Sequence, residues 1–464
     1  MSGTFGSLNT ALTALRYNRV AMDVASSNIA NVSTEGYARR RALAETLGAS
    51  STPAVWSRSD LAGEGVRASG IDRMTDPFLD IRARREHGNQ SYLDVRQNVL
   101  ERVETGIGEP GDKGVAAALA DFRQGWHDLA NNPAGGAARS QLLARATTVV
   151  ESFRAQARNI ATESSDQRFT LQAKVGEVNA VASDLASTNE SIAAAKLNGT
   201  DTGSLMDARD RLSMRLAELT GGVATSRADG GLDVTVNGVP LVTGRDAAQL
   251  QISSGVLPSG ASDGNPVAFS IVSTSGTTSV PTGMRGEIGA GTDLLNTTLP
   301  AYATALDAVA QSFADRVNTL HTAGYDKNGT AGAAFFTFTP GDVAGSLTLA
   351  LTSPDQVAAS SIPGGGLDAT TASLLGGTDP AEAAYQQLVN GFGTEVASVK
   401  RLALNQQSLT SQVDGSREQV SGVSLDEETL SLLAAQHAYE AASRVISTMD
   451  SVLDTLINRT GTTH

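Results

Sequence analysis

The chain has 464 residues, 35 Lys and Arg against 49 Asp and Glu for a formal net charge of −14, and no Cys. That length supports about two to four domains with cores of their own. The acidic balance argues against nucleic acid as the main partner, and the lack of Cys excludes disulfides and thiolate metal sites, so packing alone must hold the fold. Arg16 and Arg19 cut the first apolar run, so no cleavable signal peptide is expected; no segment approaches the ~18 apolar residues of a membrane span.

The first element is a helix from about Thr4 to Ala30, about 40 Å long at 1.5 Å per residue. Leu8, Leu15, Met22 and Ile29 recur every seven positions, and Phe5 and Leu12 start a second row that Arg19 and Ser26 interrupt. Such rows form an apolar seam that needs a partner helix. Tyr92 to Val103 also reads as helix. From Leu143 to Ile160 and from Leu171 to Ile192 apolar residues alternate by three and four; the eleven-residue step between the runs requires a stutter or a break. Asn198-Gly199 ends that stretch, and a shorter helix from about Ser204 stops near Gly221-Gly222.

Beyond Gly221 the period changes to two. Leu232 to Val236 and Val239 to Thr243 flank Asn237-Gly238, a pair that accepts positive φ at both positions, which predicts a type I′ hairpin. Ala248 to Ile252, Val267 to Val272 and Leu347 to Leu351 are further short strands. A helical stretch over 284–320 interrupts this β region. Asp379-Pro380 opens another helix, with Asp as N-cap and Pro at the first helical position, and Tyr385, Leu388, Phe392, Val399, Leu402, Leu409 and Val413 keep heptad spacing along it.

The last helix, 425–456, starts at a capping box of Ser424 and Glu427. Leu425, Leu432, Tyr439, Ile446 and Leu453 form one row, and Ala435, Ala442, Met449 and Leu456 the other. Its length is about 48 Å, close to that of the first helix. Residues 1–41 carry five Arg against Asp23 and Glu35, whereas 421–464 carry six acids against Arg444 and Arg459. Opposite charge and matched seams favour pairing of the two helices; the other reading of the uncovered seams is that neighbouring subunits order them.

Signals for chemistry are weak. Gly106-Ile107-Gly108-Glu109-Pro110-Gly111 matches G-x-G-x-x-G but follows a helix and contains Pro, so a plain loop is the better reading than a dinucleotide site. Asp326-Lys327-Asn328-Gly329 lacks the acid a calcium loop needs at its twelfth position, where Thr337 stands, and reads as a turn. The histidines His87, His127, His321, His437 and His464 are dispersed, without ligand spacing. Arg39-Arg40-Arg41 reads as a solvated face or a subunit contact rather than a nucleic-acid or lipid site. No catalytic residue, cofactor site or metal site is assigned.

The first helix runs into Ser27-Asn28-Ile29-Ala30-Asn31-Val32-Ser33-Thr34-Glu35-Gly36-Tyr37. This resembles the signature shared by the rod, hook and hook-associated axial proteins of the bacterial flagellum, carried here by Asn28, Ala30, Asn31, Thr34, Gly36 and Tyr37. Ser421 to Glu428, Leu205-Met-Asp-Ala-Arg-Asp-Arg-Leu212, and His321 to Gly329 before Phe335-Phe336 are similar to the hook-filament junction branch of that family. The resemblance spans most of the chain. It implies a secreted, non-enzymatic structural protein at the hook-filament junction, exported by the flagellar type III apparatus. The implied partners are further copies of itself in a helical array, the hook protein, a second junction protein, and an export chaperone at the C-terminal segment. A hook or distal-rod protein is the alternative within the family; a secreted coiled-coil adhesin or effector, or an enzyme with a Gly-rich loop, are the alternatives outside it.

The expected fold is mainly α, with long heptad-patterned helices, paired terminal helices and an inserted small β domain, in a nested, discontinuous order. Residues 1–35 and 424–464 would form a terminal helical domain; 36–221, 284–325 and 378–423 a rod-like helical domain; and 222–283 with 326–377 an outer β-rich domain. The expected assembly seam is Phe5, Leu8, Leu12, Leu15, Met22, Ile29, Leu425, Leu432, Tyr439, Ile446, Met449, Leu453 and Leu456.

Overall fold

The computed structural model describes residues 2–47, 65–364 and 366–455, with side chains from Gly6 onward. The chain is mainly helical. α1 (Ser2–Ala30) leads into an antiparallel pair, β1 (Arg40–Thr46) and β2 (Val66–Arg73), and then into α2 (Pro77–Ile107), α3 (Val115–Asn131), α4 (Gly136–Leu197) and α5 (Gly203–Thr220). The short strands β3 (Val223–Ser226), β4 (Leu232–Val236), β5 (Val239–Thr243) and β6 (Asp246–Ala247) make a four-stranded sheet in sequential order, and β7 (Gln249–Ser254), β8 (Ala268–Ser273) and β9 (Gly276–Ser279) a three-stranded one. α6 (Gly286–Asp293) passes through a π-helical turn, Leu294–Thr298, into α7 (Leu299–Thr322). The small pair β10 (Phe336–Thr337) and β11 (Thr348–Leu349) encloses α8 (Val343–Ser346), after which come α9 (Thr370–Leu375), α10 (Pro380–Ser421) and α11 (Leu425–Asp454).

Helix ends follow local chemistry. Asp76 caps α2, its carboxylate accepting from the amides of Phe78 and Leu79, with Pro77 at the first position; Asp379 caps α10 through the amide of Ala381, again before Pro. Gly108, the second glycine of the G-x-G-x-x-G match, is the left-handed C-cap of α2 at φ 67°. Asp326 accepts from the amides of Asn328 and Thr330, both at 2.8 Å, and closes a turn on its own backbone. Asn237 and Gly238 have φ 47° and 86° between β4 and β5, the conformation a type I′ turn demands.

α4 is one uninterrupted helix of 62 residues, about 93 Å long, so the shift between its two apolar runs is a stutter. Glu163 and Gln167 lie buried at that point. Gln167 donates to Glu163 at 2.9 Å, and Arg102 of α2 grips the same carboxylate at 2.6 Å, which satisfies a charge the register change carries inward.

The two halves of α4 enter different cores. The first core gathers α3, α7, α10 and the first half of α4 around Phe122, whose ring meets Trp126, Phe313 and Phe335 edge-on at 5.5–5.9 Å. The second core joins the far half of α4 to α5 and the sheets of β3 to β9, through Leu185, Leu216, Val234, Leu241 and Phe269. Residues 326–377, expected to share a β-rich module with 222–283, pack into the first core instead through Phe335, Phe336, Leu347 and Val357. Long-range aromatic packing takes that segment into the helical body, whatever its Gly, Ser and Thr content.

His321 joins the pieces of this segment. Buried beside Trp126 and Phe335, its Nδ1 donates to the carbonyl of Ala333 at 2.6 Å while Nε2 accepts from the amide of Ala358 at 2.8 Å. Both bonds require the neutral ring, and burial holds its pKa below the ordinary value. A folded-state pKa below the unfolded one gives stability that is complete above about pH 6.5 and declines as pH falls below it. Urea unfolding between pH 7 and pH 5 should show this loss, with a flatter slope for His321→Gln; identical slopes would show that His321 does not titrate against folding.

Candidate assembly interface

α1 ends in a tight turn built from the motif residues. The amide side chain of Asn31 donates to the carbonyl of Ser27 at 2.8 Å, Thr34 Oγ1 donates to Asn31 Oδ1 at 3.3 Å, and the amide of Tyr37 donates to the carbonyl of Thr34 at 3.2 Å. Gly36 has φ 75°, and a Cβ there would sit 2.6 Å from Arg211 Cγ, so both conformation and space require glycine. Nothing in the structure explains Ala30, which is exposed.

Asn28 is the hub, with none of its surface exposed. Its Nδ2 donates to the carbonyl of Arg40 and to Glu428 Oε2, each at 2.9 Å. Its Oδ1 accepts from the Tyr37 hydroxyl at 2.8 Å and the Arg40 amide at 3.0 Å. One carboxamide thus joins α1, the turn, the first residue of β1 and the first turn of α11. Arg40 also stacks over the Tyr37 ring, 5.1 Å from its centroid.

Charge extends this contact in two directions. Arg39 binds Glu428 at 2.7 Å and Glu427 at 2.9 Å, and its amide donates to the carbonyl of Ser421 at the end of α10. Arg40 binds Asp207 of α5 at 3.1 Å, and Arg73 of β2 reaches both Asp207 and Asp210. Burial alone would lower the Arg73 pKa, but Asp210 and Asp207 outweigh it and raise it. Arg211 donates to the carbonyl of Glu35 at 3.2 Å. The segments 28–40, 205–212 and 421–428, far apart in the chain, therefore meet at one place. Arg39 and Arg40, expected as a solvated face or subunit contact, are internal partners of these acids, and only Arg41 of the three stands exposed. In the cap of α11, Ser424 accepts from the amide of Glu427, but the Glu427 carboxylate turns to Arg39 instead of completing a capping box.

Beyond the hub α1 and α11 lie against each other. The buried positions are small or polar: Ala11, Val24, Ala25 and Asn28 on α1, Glu428 and Ala435 on α11. Leu8, Leu15, Met22, Ile29, Leu432, Ile446, Met449 and Leu453 flank that strip half-buried, whereas Leu12, Leu425 and Tyr439 are exposed. The side chain of Phe5, and Leu456, lie outside the described residues. On α1 the row three residues on from Leu8 (Ala11, Asn18, Ala25) faces inward, and Leu12, four on, stays outside.

Known families match the same regions. Residues 100–336 match the family described as flagellar hook-associated protein FlgK helical domain. The chain belongs to the FlgK family of flagellar hook-associated proteins. Residues 8–37 match flagella basal body rod protein and 417–459 match flagellar basal body rod FlgEFG protein C-terminal, so the two rod-type segments are the ones that meet around Asn28 and Glu428. The chain is 28% identical to flagellar hook-associated protein 1 of Bacillus subtilis (strain 168), over 99% of each chain. It is 24% identical to the protein of that name in Escherichia coli (strain K12), over 97% of this chain and 99% of that one. The solved flagellar hook junction protein FlgK from Burkholderia pseudomallei superposes with a TM-score of 0.63 at 16% identity, covering 73% of this chain and all of that one, a likeness of fold. FlgK membership makes the chain a structural protein of the bacterial flagellum.

If the hub orders the helices, Asn28→Asp should loosen it. The change keeps the acceptor but sets a second carboxyl oxygen 2.9 Å from Glu428, replacing a bond to a charged group worth about 1.5–3 kcal/mol with repulsion. Amide exchange of residues 20–30 and 428–436 should accelerate roughly 10-fold or more, with Ser26→Ala as the unchanged control. Unaltered exchange in Asn28→Asp would show that Asn28 does not order the two helices.

Proposed function

We propose that this chain is the subunit that caps the flagellar hook and presents the first filament subunits with a surface to grow from. The observation that carries the reading is the union of α1 and α11 through Asn28 and Glu428, 400 residues apart in sequence. It brings two rod-type segments into one two-helix unit tied to the body at Asp207, and a unit of that kind repeated by rotation and rise makes a helical array. Terminal residues 1–35 with 424–464 form the axial part in this reading, α2 to α5, α7 and α10 the rod-like body, and the sheets within 222–283 the outermost part. The chemistry is assembly and not catalysis: the Gly-rich match is a helix cap, and the Asp326 loop binds its own backbone. None of the described helices is long and apolar enough to cross a membrane. Partners in this reading are further copies, the hook protein, a second junction protein and an export chaperone on the C-terminal segment, and the route out of the cell is the flagellar type III apparatus.

The half-buried flank of the helix pair supplies the test. Ile446→Asp or Leu15→Asp places a charge against the partner helix, where an unpaired ion costs several kcal/mol once dehydrated. Cells of a flagellated host lacking its own copy should export either variant yet carry no attached filaments, while the exposed change Ser447→Asp restores motility. Equal motility from all three variants would contradict an apolar assembly element, and a secreted adhesin or effector would leave motility untouched by deletion of the whole gene.

A further inference from the structure

Two exposed helical strips in this chain complement one another. On α2 the residues Phe78, Ile81, Arg82 and Arg85 follow spacing 0, 3, 4 and 7 and share one face. Phe78 is 82% and Ile81 50% exposed. Arg82 and Arg85 share a single carboxylate, Glu86, at 4.0 and 2.9 Å, so the strip keeps a net positive charge. On α11, Asp426, Leu430 and Leu433 follow spacing 0, 4 and 7, on the side away from the Ala435 row that meets α1. Leu430 is 68% and Leu433 50% exposed. Asp426 makes no ion pair among the described residues.

We infer that the α2 strip of one copy receives the α11 strip of a second copy. The inference rests on the self-assembling reading above and names the surfaces it uses. Charge and spacing fit when the helices run antiparallel: the step from Ile81 to Arg85 and the step from Leu430 back to Asp426 are both four residues, about 6 Å. Phe78 and Ile81 then cover Leu430 and Leu433, while Arg82 and Arg85 face Asp426. Among the described residues each apolar pair is left half or more exposed, and each strip carries the charge the other lacks. Because the strips differ, the contact is heterologous, and each copy added leaves one strip of each kind open for the next.

The absence of Cys makes a clean cross-linking test. Ile81→Cys and Leu430→Cys are placed in separate full-length chains, mixed and oxidised. The expected product is the mixed dimer, formed at least ten times faster than with Phe169→Cys, an exposed position outside both strips, in place of either. Arg85→Glu should slow it at least ten-fold, and Asp426→Arg on the other chain should restore it. Cross-linking no faster than the control, symmetric 81–81 dimers alone, failure of the charge swap, or cross-links in cells only to a different flagellar protein would each overturn the inference. Motility separates the two readings: if deleting the gene abolishes filament attachment but Arg85→Glu neither blocks attachment nor slows cross-linking, only this inference fails. Attached filaments after deletion would sink the flagellar reading itself.

Discussion

A buried carboxamide can make four hydrogen bonds, and Asn28 makes all four, two as donor and two as acceptor. In a site closed to water each of these bonds is strengthened and each lost one leaves an unpaired group. That constraint sets the geometry around it. The turn after α1 must close so that Tyr37 reaches back, β1 must begin at Arg40, and α11 must present Glu428 one turn in from its N-terminus. Arg39 then finds Glu428 on the far side of the same carboxylate, and the two bonds together fix where α11 starts relative to the end of α10.

From this point the structure divides in two directions. Toward the helix pair, the fully buried apolar positions are alanines and one valine, with the larger residues as half-covered flanks. Toward the body, Arg40 and Arg73 converge on Asp207, so charge couples the start of β1 and the end of β2 to α5. α4 carries this outward: one helix serves two cores, and the Glu163–Arg102–Gln167 cluster occupies the point where its register changes.

Periodicity made the long helices legible, with α11 the clearest case because leucines and a regular capping Ser mark it. The interior row of α1 was not legible, since Ala11, Asn18 and Ala25 carry little hydrophobic signal beside Leu12, which the structure leaves outside. β1 carries no strand signal, because Arg40 to Thr46 shows no clean alternation. The Asn237-Gly238 turn was readable from two residues because backbone conformation is a local property. The placement of 326–377 was not, because its aromatics find Phe122 and Trp126 only through the folded chain. At the interface the motif residues stood out as a resemblance, but the roles of Asp207, Arg73 and Glu428 depend on contacts 134 to 400 residues apart, which no local pattern announces.

Asn28 and Glu428 act as one interaction and not as two independent contributions. A double-mutant cycle of Asn28→Ala and Glu428→Ala, read by urea unfolding of the full chain, measures it directly. The expected coupling energy is about 1.5–3 kcal/mol, the range of a buried hydrogen bond to a charged group. Effects that add to within about 0.5 kcal/mol would contradict it.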